Sequence, residues 1–304
     1  MEALETDRRL LWGLCYRMTG NAADADDLVQ ETFVRAIEKP PRRMDEPLRP
    51  WLIRVAVNLS RDLLRRRRRQ GYVGPWLPSP VHTDEDSPAS YEPPAPSEDS
   101  PVARYDLKES ISFAFLLALE ALTPSQRAVL LLRDVFDYST NETATALDMT
   151  QANVKVVLLR ARRKMSEYDK RRLSPGPALQ DATRRALEQF LLYLGNRDAA
   201  ALERLLAEDV VSLSDGGGEV AAARQPVRGR DKVLRLILGL AAKSVAEPRF
   251  EIRSLNGLPG VLVQDYRSPT TAATRYTIHI EVDAEGRIRG LNAVLAPRKL
   301  SALH

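Results

Sequence analysis

The sequence predicts a multidomain chain in which two all-α modules precede one α+β domain. Apolar residues recur at helical spacing over residues 1–70 and again over residues 105–172. Residues 178–304 instead carry strand-like runs separated by turn signals such as Asn256-Gly257 and Glu285-Gly286. An acidic, proline-rich stretch divides the first two modules. We therefore predict modules at 1–70, 105–172 and 178–304, with a linker at 71–104.

The composition excludes several classes of protein. The 304 residues carry 45 basic and 41 acidic side chains, a net charge of +4 that identifies no partner by itself. The hydrophobic content of 44% excludes a wholly disordered chain. The lone cysteine, Cys15, cannot form an internal disulfide, and only three histidines are present. We expect no metal site and no cofactor.

The distribution of apolar residues predicts no membrane segment. No apolar run approaches the ~18–20 residues that are needed to span a bilayer. The first residues, Met-Glu-Ala-Leu-Glu, lack the positive and then apolar layout of a secretory signal. We therefore expect the protein in the cytoplasm, a reducing compartment.

The predicted linker is set apart by its charge and its prolines. No Lys or Arg lies between Arg69 and Arg104, and the stretch holds eight prolines together with Asp84, Glu85 and Asp86. Such a composition cannot bury a core, so we predict an extended, mobile segment. A second break, Ser174-Pro175-Gly176-Pro177, should end the preceding helix.

A first amphipathic helix is predicted at residues 24–38, DADDLVQETFVRAIE. Its outward face should carry acidic and amide side chains and one valine. Such a face suits a basic partner surface, although a helix with this pattern is more often simply solvated. The positions assigned to the buried face are Leu28, Val29, Thr32, Phe33, Ala36 and Ile37.

A second helix is predicted at residues 50–69, PWLIRVAVNLSRDLLRRRRR. Helical spacing places Leu52, Val55, Ala56, Leu59 and Leu63 on one face. The opposite face is a basic stripe of Arg54, Asn58, Arg61, Arg65 and Arg68. Arginines on a rigid helix pair with phosphates, and an asparagine can contact a base edge. A solvated basic face explains the arginine run alone about equally well.

Residues 122–165 predict a helix-turn-helix. Thr123 and Thr150 are suited to cap helices over residues 125–135 and 151–164, a short helix spans 140–147, and Asp148-Met149 form the turn. Exposed positions on the last helix include Ala152 and Val156, which can contact thymine methyls, and basic residues suited to phosphate or guanine. An ordinary helical bundle is the alternative.

The third module predicts helices packed on one antiparallel sheet. The helices are expected at 179–196, 199–207 and 229–243, and the strands at 210–213, 250–255, 261–266, 274–282 and 288–295. An enzyme would need an acid–base pair in a pocket. Because alternation places Ile278 and Ile280 on the core side, His279 should face away from the interior. We therefore do not expect independent catalysis.

Taken in order, the three helical elements resemble a bacterial sigma factor of the extracytoplasmic-function class. The resemblance implies that residues 24–38 dock on the clamp helices of core RNA polymerase, that residues 50–69 melt and contact the −10 element, and that residues 122–165 contact the −35 element and the polymerase flap. The linker would thread between the two DNA-binding domains. The implied polymerase contacts are Asp24, Asp27, Gln30, Glu31 and Val34.

The same resemblance implies which residues contact promoter DNA. Those at the −10 element are Arg54, Asn58, Arg61, Asp62, Arg65 and Arg68. Those at the −35 element are Thr150, Ala152, Lys155, Val156, Leu159, Arg160 and Arg163. The turn residue Asp148 stands where this family usually has glycine.

Residues 74–80, GPWLPSP, resemble the WLPEP signature of the SigJ-type subgroup, with Ser79 in place of glutamate. This subgroup carries a C-terminal SnoaL-like domain, an α+β cone of the nuclear-transport-factor-like fold. Residues 215–219 resemble its DGGGK motif, with Glu219 in place of lysine. Residues 296–300 are a weaker copy of its NPDKL motif, with Arg298 in place of aspartate.

The subgroup resemblance implies that the third domain regulates the sigma modules in cis. It would contact the linker through residues near the two motifs, namely Trp76, Leu77, Pro78, Asp215, Gly216, Gly217, Gly218 and Lys299. A small ligand in the C-terminal cone is left open. Two other functions also stay open: a helix-turn-helix regulator with a ligand-sensing domain, and a SnoaL-like enzyme fused to a DNA-binding module.

Overall fold

The computed structural model describes residues 2–39, 48–83, 104–173, 176–243, 249–264 and 273–303. The chain divides into two compact units. A short segment that lies in sequence between the two parts of unit 1 belongs to unit 2. Unit 1 contains Met1–Gly71 and Thr83–Arg172, and unit 2 contains Tyr72–His82 and Leu173–His304.

Unit 1 is entirely helical among its described residues. Its helices are α1 (Glu2–Thr19), α2 (Ala22–Glu38), α3 (Leu48–Gln70), α4 (Phe113–Leu119), α5 (Pro124–Asp134), α6 (Thr140–Leu147) and α7 (Gln151–Arg171), with a short 3-10 helix at Glu109–Ile111. Side-chain caps start three of the later helices: Thr123 and Ser139 each form a capping box, and Thr150 accepts from the Asn153 amide. Helix α7 runs well past the predicted end at residue 164, to Arg171.

Helix α1 lies at the centre of unit 1, where it packs on α2, α3 and α5, while α3 also packs on α5 and α6. Leu11, Leu14 and Met18 of α1 are buried. Two buried arginines, Arg17 and Arg127, cross between the first three helices and the later ones. Burial lowers the pKa of Arg17 to about 10 and also lowers the pKa of Arg127. The periodicity of the sequence did not predict either contact.

Unit 2 is an α+β domain. Its elements are α8 (Pro177–Gly195), α9 (Ala199–Leu205), β1 (Leu206–Asp215), β2 (Val227–Arg228), α10 (Arg230–Lys243), β3 (Arg249–Leu255), β4 (Leu258–Gln264), β5 (Arg275–Val282) and β6 (Ile288–Val294). The strands form a six-stranded sheet in the order β2-β1-β6-β5-β4-β3.

The prediction of an antiparallel sheet was wrong at one pairing, because β1 and β6 run parallel, with Leu213 opposite Asn292. Strands β3 to β6 form an antiparallel meander, and its last strand returns beside β1 in the same direction. Alternation along the sequence identifies a strand but carries no information about its neighbour in the sheet. The two-residue strand β2 was not predicted.

One face of the sheet packs against the helices of unit 2. Its core contains Phe190 of α8, Val233 and Ile237 of α10, and Val261 and Ile280 of the sheet. This side of the domain is apolar, as the alternation of β5 predicted. Within the described parts of the chain, no helix is long and apolar enough to span a membrane.

Candidate nucleic-acid and polymerase interfaces

Helix α2 presents the predicted acidic face. Asp27, Gln30, Glu31 and Val34 are all exposed. Asp24 differs from the other four, because it forms an ion pair with Arg67 of α3 and is partly buried. Asp24 therefore contributes to packing within unit 1, whereas the other four residues stay available to a partner.

The buried face of α2 was predicted one turn too long. Ile37 was assigned to the core, yet 82% of it is exposed, whereas Val34, which was predicted to face outward, is 45% exposed. Close to the end of α2 no neighbouring helix covers this side among the described residues, so helical spacing alone overestimated the burial. The outward surface thus combines acidic and amide groups with exposed branched apolar side chains, and exposed apolar surface beside polar residues makes it a candidate interaction surface.

The buried face of α3 is rotated from its predicted position. Ile53, Val57, Ser60 and Leu64 are buried together with the predicted Leu52 and Ala56, whereas Val55, Leu59 and Leu63 are only partly buried. Helix α3 contacts α1 and α2 on one side and α5 and α6 on another. The buried surface is therefore wider than the single stripe that a helix on one neighbour would show.

The basic stripe of α3 is present, but its members differ in their surroundings. Asn58, Asp62, Arg65 and Arg68 are exposed and Arg61 is partly buried. Arg65 lies 3.4 Å from Asp62, and Arg61 lies 3.5 Å from Asn58. Arg54 is partly buried, and its Nη2 donates to the Thr145 carbonyl of α6 at 2.6 Å. Five of the six predicted −10 residues therefore remain accessible, and the sixth is engaged within unit 1.

Helices α6 and α7 form the predicted helix-turn-helix. Asp148 ends α6 in the left-handed conformation, with φ of 54°, which explains why a glycine would also suit this position. Val154, Leu158, Ala161 and Met165 hold α7 on the core. All six outward predictions on α7 are exposed: Ala152, Lys155, Val156, Leu159, Arg160 and Arg163.

The exposed face of α7 combines charge with apolar surface. Val156 is 46% exposed and Leu159 is 53% exposed, beside Lys155 and Arg160. The Thr150 hydroxyl accepts from the Asn153 amide at 3.2 Å, so Thr150 also serves as the N-cap. The prediction omitted Gln151, whose Nε2 donates to Asn141 at 3.0 Å, and the exposed Asn153, although both lie in the first turn of a recognition helix, where base contacts concentrate.

Residues 72–82, which we call the strap, pack on unit 2. The composition of 71–104 predicted a mobile segment without a core, but Leu77, Pro78, Ser79, Pro80 and Val81 are all buried. The prolines keep the strap extended. The acidic residues that follow it lower the apolar fraction of the whole stretch, so its average composition concealed the apolar residues of the strap. Residues 84–103, including the acidic cluster, lie outside the described residues.

The first half of the strap is held by a buried carboxylate at the end of β1. Asp215 accepts from the Tyr72 hydroxyl at 2.6 Å, the Leu77 amide at 2.8 Å and the Gly217 amide at 2.9 Å. The Lys299 ammonium lies 2.6 Å from Asp215 and also donates to the Leu77 carbonyl. The predicted regulatory residues thus meet at one polar centre.

Aromatic rings and glycines complete this centre. The Lys299 ammonium lies 4.5 Å from the centroid of the Trp76 ring and 4.9 Å from that of Tyr72, so two π faces stabilise the buried cation. Gly217 has φ of 62°, and a Cβ there would lie 2.9 Å from Ala296. A Cβ on Gly216 would clash with the Val220 carbonyl. The loop after β1 therefore requires glycine for close approach.

The second half of the strap pairs with the turn after β3. The Val81 amide donates to Asn256 Oδ1 at 3.0 Å, and the Asn256 amide donates to the Val81 carbonyl at 3.0 Å. Since β1 and β3 lie on opposite sides of β6, β5 and β4 in the sheet, the strap reaches from one side of these three strands to the other.

His279 lies on the face of β5 opposite to the core residue Ile280, as predicted, but it is buried. Its Nε2 lies 3.0 Å from Thr277 Oγ1, and Asn292 is its partner on β6. Burial lowers the pKa of His279 to about 3, so the imidazole is neutral at physiological pH. A neutral, enclosed histidine is a structural element here, and the sequence pattern predicted its direction but not its burial.

Two departures from the subgroup motifs lie close together. Glu219 stands where the motif has lysine, Arg298 stands where it has aspartate, and the two side chains lie 3.6 Å apart. They carry opposite charges and form an ion pair. Because Arg298 is largely exposed, such a pair contributes little to stability.

Comparisons with known proteins agree with this geometry. Residues 4–70 match the Sigma-70 region 2 family, and residues 112–165 match the Sigma-70, region 4 family. The ECF RNA polymerase sigma factor SigJ of Mycobacterium tuberculosis is 31% identical over 98% of this chain and 92% of its own length. The chain belongs to the ECF RNA polymerase sigma factors.

Two further similarities extend over the whole ECF sigma factor chain. The probable ECF RNA polymerase sigma factor SigI of M. tuberculosis is 28% identical over 99% of this chain and 94% of its own length. The crystal structure of M. tuberculosis SigJ is similar with a TM-score of 0.75 and 26% identity, covering 99% of this chain and 98% of that one. This protein is therefore a sigma factor that directs transcription initiation, and unit 2 belongs to its architecture.

Proposed function

We propose that unit 1 carries both recognition surfaces of this sigma factor. The exposed face of α2, with Asp27, Gln30, Glu31 and Val34, docks on the clamp helices of core RNA polymerase, and the helix-turn-helix module contacts the polymerase flap. The mixed acidic and apolar surface of α2 supports this assignment. Because its partners are polymerase and promoter DNA, the protein acts in the cytoplasm.

The α2 assignment is tested by a double substitution of exposed residues. Gln30→Ala with Glu31→Ala should weaken binding to core polymerase about tenfold without changing the helical circular dichroism. Glu167→Ala on α7 is the control, since Glu167 is also exposed and, within the described residues, bonds only to Lys170. Unchanged polymerase affinity of the double variant would remove α2 from the docking surface.

We assign promoter contacts to the two exposed helix faces. The α3 stripe, Arg54 to Arg68 with Asn58 and Asp62, contacts the −10 element, and the α7 face contacts the −35 element. The exposure of Val156 and Leu159 between basic residues supports the second assignment most strongly, because branched apolar side chains on a solvated helix have no stabilising role. Thr150 contributes mainly as the N-cap of α7.

Lys155 offers a direct test of the −35 assignment. If its ammonium neutralises a phosphate, Lys155→Ala should weaken promoter binding by the holoenzyme and reduce the salt slope by about one. Lys170→Ala is the control, because Lys170 lies in the last turn of α7 and pairs with Glu167. An unaltered slope would exclude a phosphate contact at Lys155.

Unit 2 acts as a regulatory domain rather than an enzyme. The helix side of its sheet packs on apolar side chains, among them Phe190, Val233 and Ile280. The single observation that supports regulation in cis is the strap, since residues directly after the −10 helix are built into unit 2 through Asp215 and Lys299. A change in strap docking would change how α3 is tethered.

Run-off transcription tests regulation in cis. Core polymerase would be combined with the wild-type chain or with Lys299→Met, which removes the cation that binds both Asp215 and the Leu77 carbonyl. A changed yield of promoter-specific transcript is expected at equal polymerase affinity. Arg287→Met, at an exposed ion pair with Asp283, is the control. Equal yields from all three proteins would exclude regulation through the strap.

A further inference from the structure

The two edge strands of the sheet in unit 2 differ in length. At one end of the sheet, β2 contains only Val227 and Arg228. At the other end, β3 pairs with β4 over the seven residues Arg249–Leu255 without a shift in register. A strand of two residues offers little backbone to a further strand, whereas β3 has neither a proline nor a bulge to prevent such pairing. The sheet can therefore be extended at β3.

The outer edge of β3 presents the main-chain groups of Phe250 and Ile252. A two-residue turn, Asn256-Gly257, joins β3 to β4, and its residues have φ of 53° and 79°. In such a hairpin Leu255, directly before the turn, forms a hydrogen-bonded pair with β4, and bonded and non-bonded pairs then alternate along the strand. Ser254 and every second residue before it therefore turn their amides and carbonyls away from β4. Within the described residues, the sheet has no strand beyond β3.

The strap shows that this edge accepts an antiparallel neighbour. His82 of the strap forms an antiparallel bridge with Leu255, at the turn end of β3. The bridge leaves the opposite end of the strand, Arg249–Glu251, where all three residues are exposed. Phe250, in the middle of this end, is 44% exposed. An edge that combines outward main-chain groups with an exposed aromatic ring is suited to pair with another strand.

The side chains at this end of β3 are complementary to a second copy of themselves. Arg249 and Glu251 lie on one face of the strand with opposite charges, and Phe250 lies on the other face. In an antiparallel pair with the two Phe250 residues opposite each other, Arg249 of each copy lies opposite Glu251 of the other, and the two phenyl rings are neighbours. Opposite charges and aromatic rings placed in this way stabilise a sheet.

The Glu251 carboxylate already accepts from Arg253 of its own strand. Its two oxygens lie 2.7 Å and 2.8 Å from two nitrogens of that guanidinium. A carboxylate has about four lone-pair sites, so each oxygen can accept a second hydrogen bond. The side chain of Glu251 is 56% exposed, which leaves room for the arginine of another copy.

We propose that β3 pairs with β3 of a second copy of this chain, antiparallel about Phe250, so that two sheets join across a two-fold axis. The Phe250 amide of each copy donates to the Phe250 carbonyl of the other, because opposite residues at such a position exchange both hydrogen bonds. The same three residues, Arg249–Glu251, serve on both sides of this isologous contact. Because the contact is short, we expect a weak dimer that forms on the order of 10–100 µM protein. The proposal is independent of the polymerase and DNA contacts.

Charge reversal provides a test in which two defective variants repair each other. Arg249→Glu places a glutamate against Glu251 of the second copy, and Glu251→Arg places an arginine against Arg249. Each variant alone should dimerise about tenfold more weakly than the wild type. An equal mixture restores both opposite-charge pairs in the heterodimer, so its weight-average mass in sedimentation equilibrium should return toward the wild-type value. Because mixing does not repair a misfolded chain, recovery separates the interface from folding.

The control is Glu285→Arg, which reverses a charge in the exposed ion pair with Arg287 and lies outside β3. It should dimerise as the wild type does. A wild-type chain that stays monomeric at concentrations about tenfold above the expected range would overturn the proposal. Single variants that dimerise as tightly as the wild type, or a mixture that stays as weak as its components, would also overturn it.

Hydrogen exchange in the full chain distinguishes pairing of β3 from association through another surface. The Phe250 amide gains an acceptor only in the dimer, so its exchange should slow several-fold when the wild type is concentrated from about 1 µM to about 300 µM. The same amide in Arg249→Glu should change much less. A wild-type dimer in which the Phe250 amide exchanges as fast as in the monomer would exclude β3 as the interface.

Discussion

Each of the two units of this sigma factor contains buried cations, and the partners of these cations differ between the units. In unit 1, Arg17 crosses between modules to reach neutral oxygens. In unit 2, Lys299 meets a full carboxylate, Asp215, which is itself bound by the Tyr72 hydroxyl and two backbone amides. The strap is therefore anchored by charge neutralisation, whereas the hydrogen bonds that Arg17 donates all go to neutral oxygens.

The loss of Asp215 and the loss of Arg17 should therefore differ in their cost to stability. Loss of Asp215 leaves a buried ammonium and three donors without their acceptor, which is costly. Loss of Arg17 leaves acceptors that have other donors, since the Leu107 carbonyl also accepts from Ser110 Oγ at 2.7 Å. Asp215 and Arg17 are similarly buried, yet we expect them to contribute very differently to the free energy of unfolding.

The largest effect should follow Asp215→Asn. We expect a loss of about 3–5 kcal/mol in the free energy that protects the strap and the adjoining strands, because Lys299 stays buried without a counter-charge. Hydrogen exchange of the Leu77 amide in the full chain measures this loss. Glu285→Gln, at an exposed ion pair with Arg287, is the control and should change protection by less than about 1 kcal/mol. Equal effects of the two variants would refute the anchoring role of Asp215.

The stability of unit 2 should also depend on pH through His279. Folding lowers its pKa from 6.5 to about 3, so the unfolded form binds more protons between these values. The associated stability is complete above pH 6.5 and falls as the pH decreases, by about 2 kcal/mol at pH 5. Exchange of β5 amides at pH 7.5 and 5.0 should therefore show a smaller change in His279→Gln than in the wild type.

The groups that titrate beside His279 are common to both proteins. Glu281 lies two residues further along β5, burial raises its pKa, and Arg289 is 3.7 Å away. His82 of the strap lies 3.3 Å from Arg253 at the far edge of the sheet. An equal pH dependence of the wild type and His279→Gln would show that protonation of His279 does not limit the stability of unit 2.

Arg17→Met should change the stability of unit 1 by only about 1 kcal/mol in either direction, because a buried cation is exchanged for a side chain of similar length. Denaturant unfolding followed by helical circular dichroism measures this. Leu14→Ala is the contrasting control, since it opens a cavity in the same buried helix and should cost about 2–5 kcal/mol. A loss from Arg17→Met as large as from Leu14→Ala would make the arginine a main source of stability and contradict the comparison.

The smallest effect is expected at Asp148, whose φ of 54° places it in the left-handed region. Asp148→Gly should stabilise the helix-turn-helix by up to about 1 kcal/mol, and Asp148→Val should destabilise it by at least as much. Thermal unfolding of the full chain, followed at the unit 1 transition, distinguishes the signs. A loss of stability with glycine would mean that the aspartate side chain, rather than the backbone, determines the turn.

The sequence predicted the positions of the helices well, but it predicted poorly which other helices pack against them. Helical spacing located α2, α3 and α7, and the outward positions of α7 were all exposed, because α7 packs through one narrow face. The same reasoning placed the buried face of α3 wrongly, because α3 packs on neighbours on two sides and also buries Ile53 and Ser60. Periodicity records how many faces are apolar but not which helices cover them.

The strap shows why composition can mislead. Averaged over residues 71–104, proline and acid predict a mobile linker, yet Leu77 and Val81 are buried. The resemblance to the WLPEP and DGGGK motifs indicated the contact that the average concealed. Arg17 and Arg127 had no such indication, because a single basic residue among apolar ones resembles an ordinary exposed position until the tertiary packing is known.

Run-off transcription with purified core polymerase tests the central claim most directly, namely that this chain directs promoter-specific initiation. On DNA selected by the wild-type holoenzyme, the wild-type chain should yield one discrete transcript, and Lys155→Ala should yield about tenfold less at raised salt. Selection that enriches no sequence, or core polymerase that gives the same transcripts with and without the chain, would contradict the account.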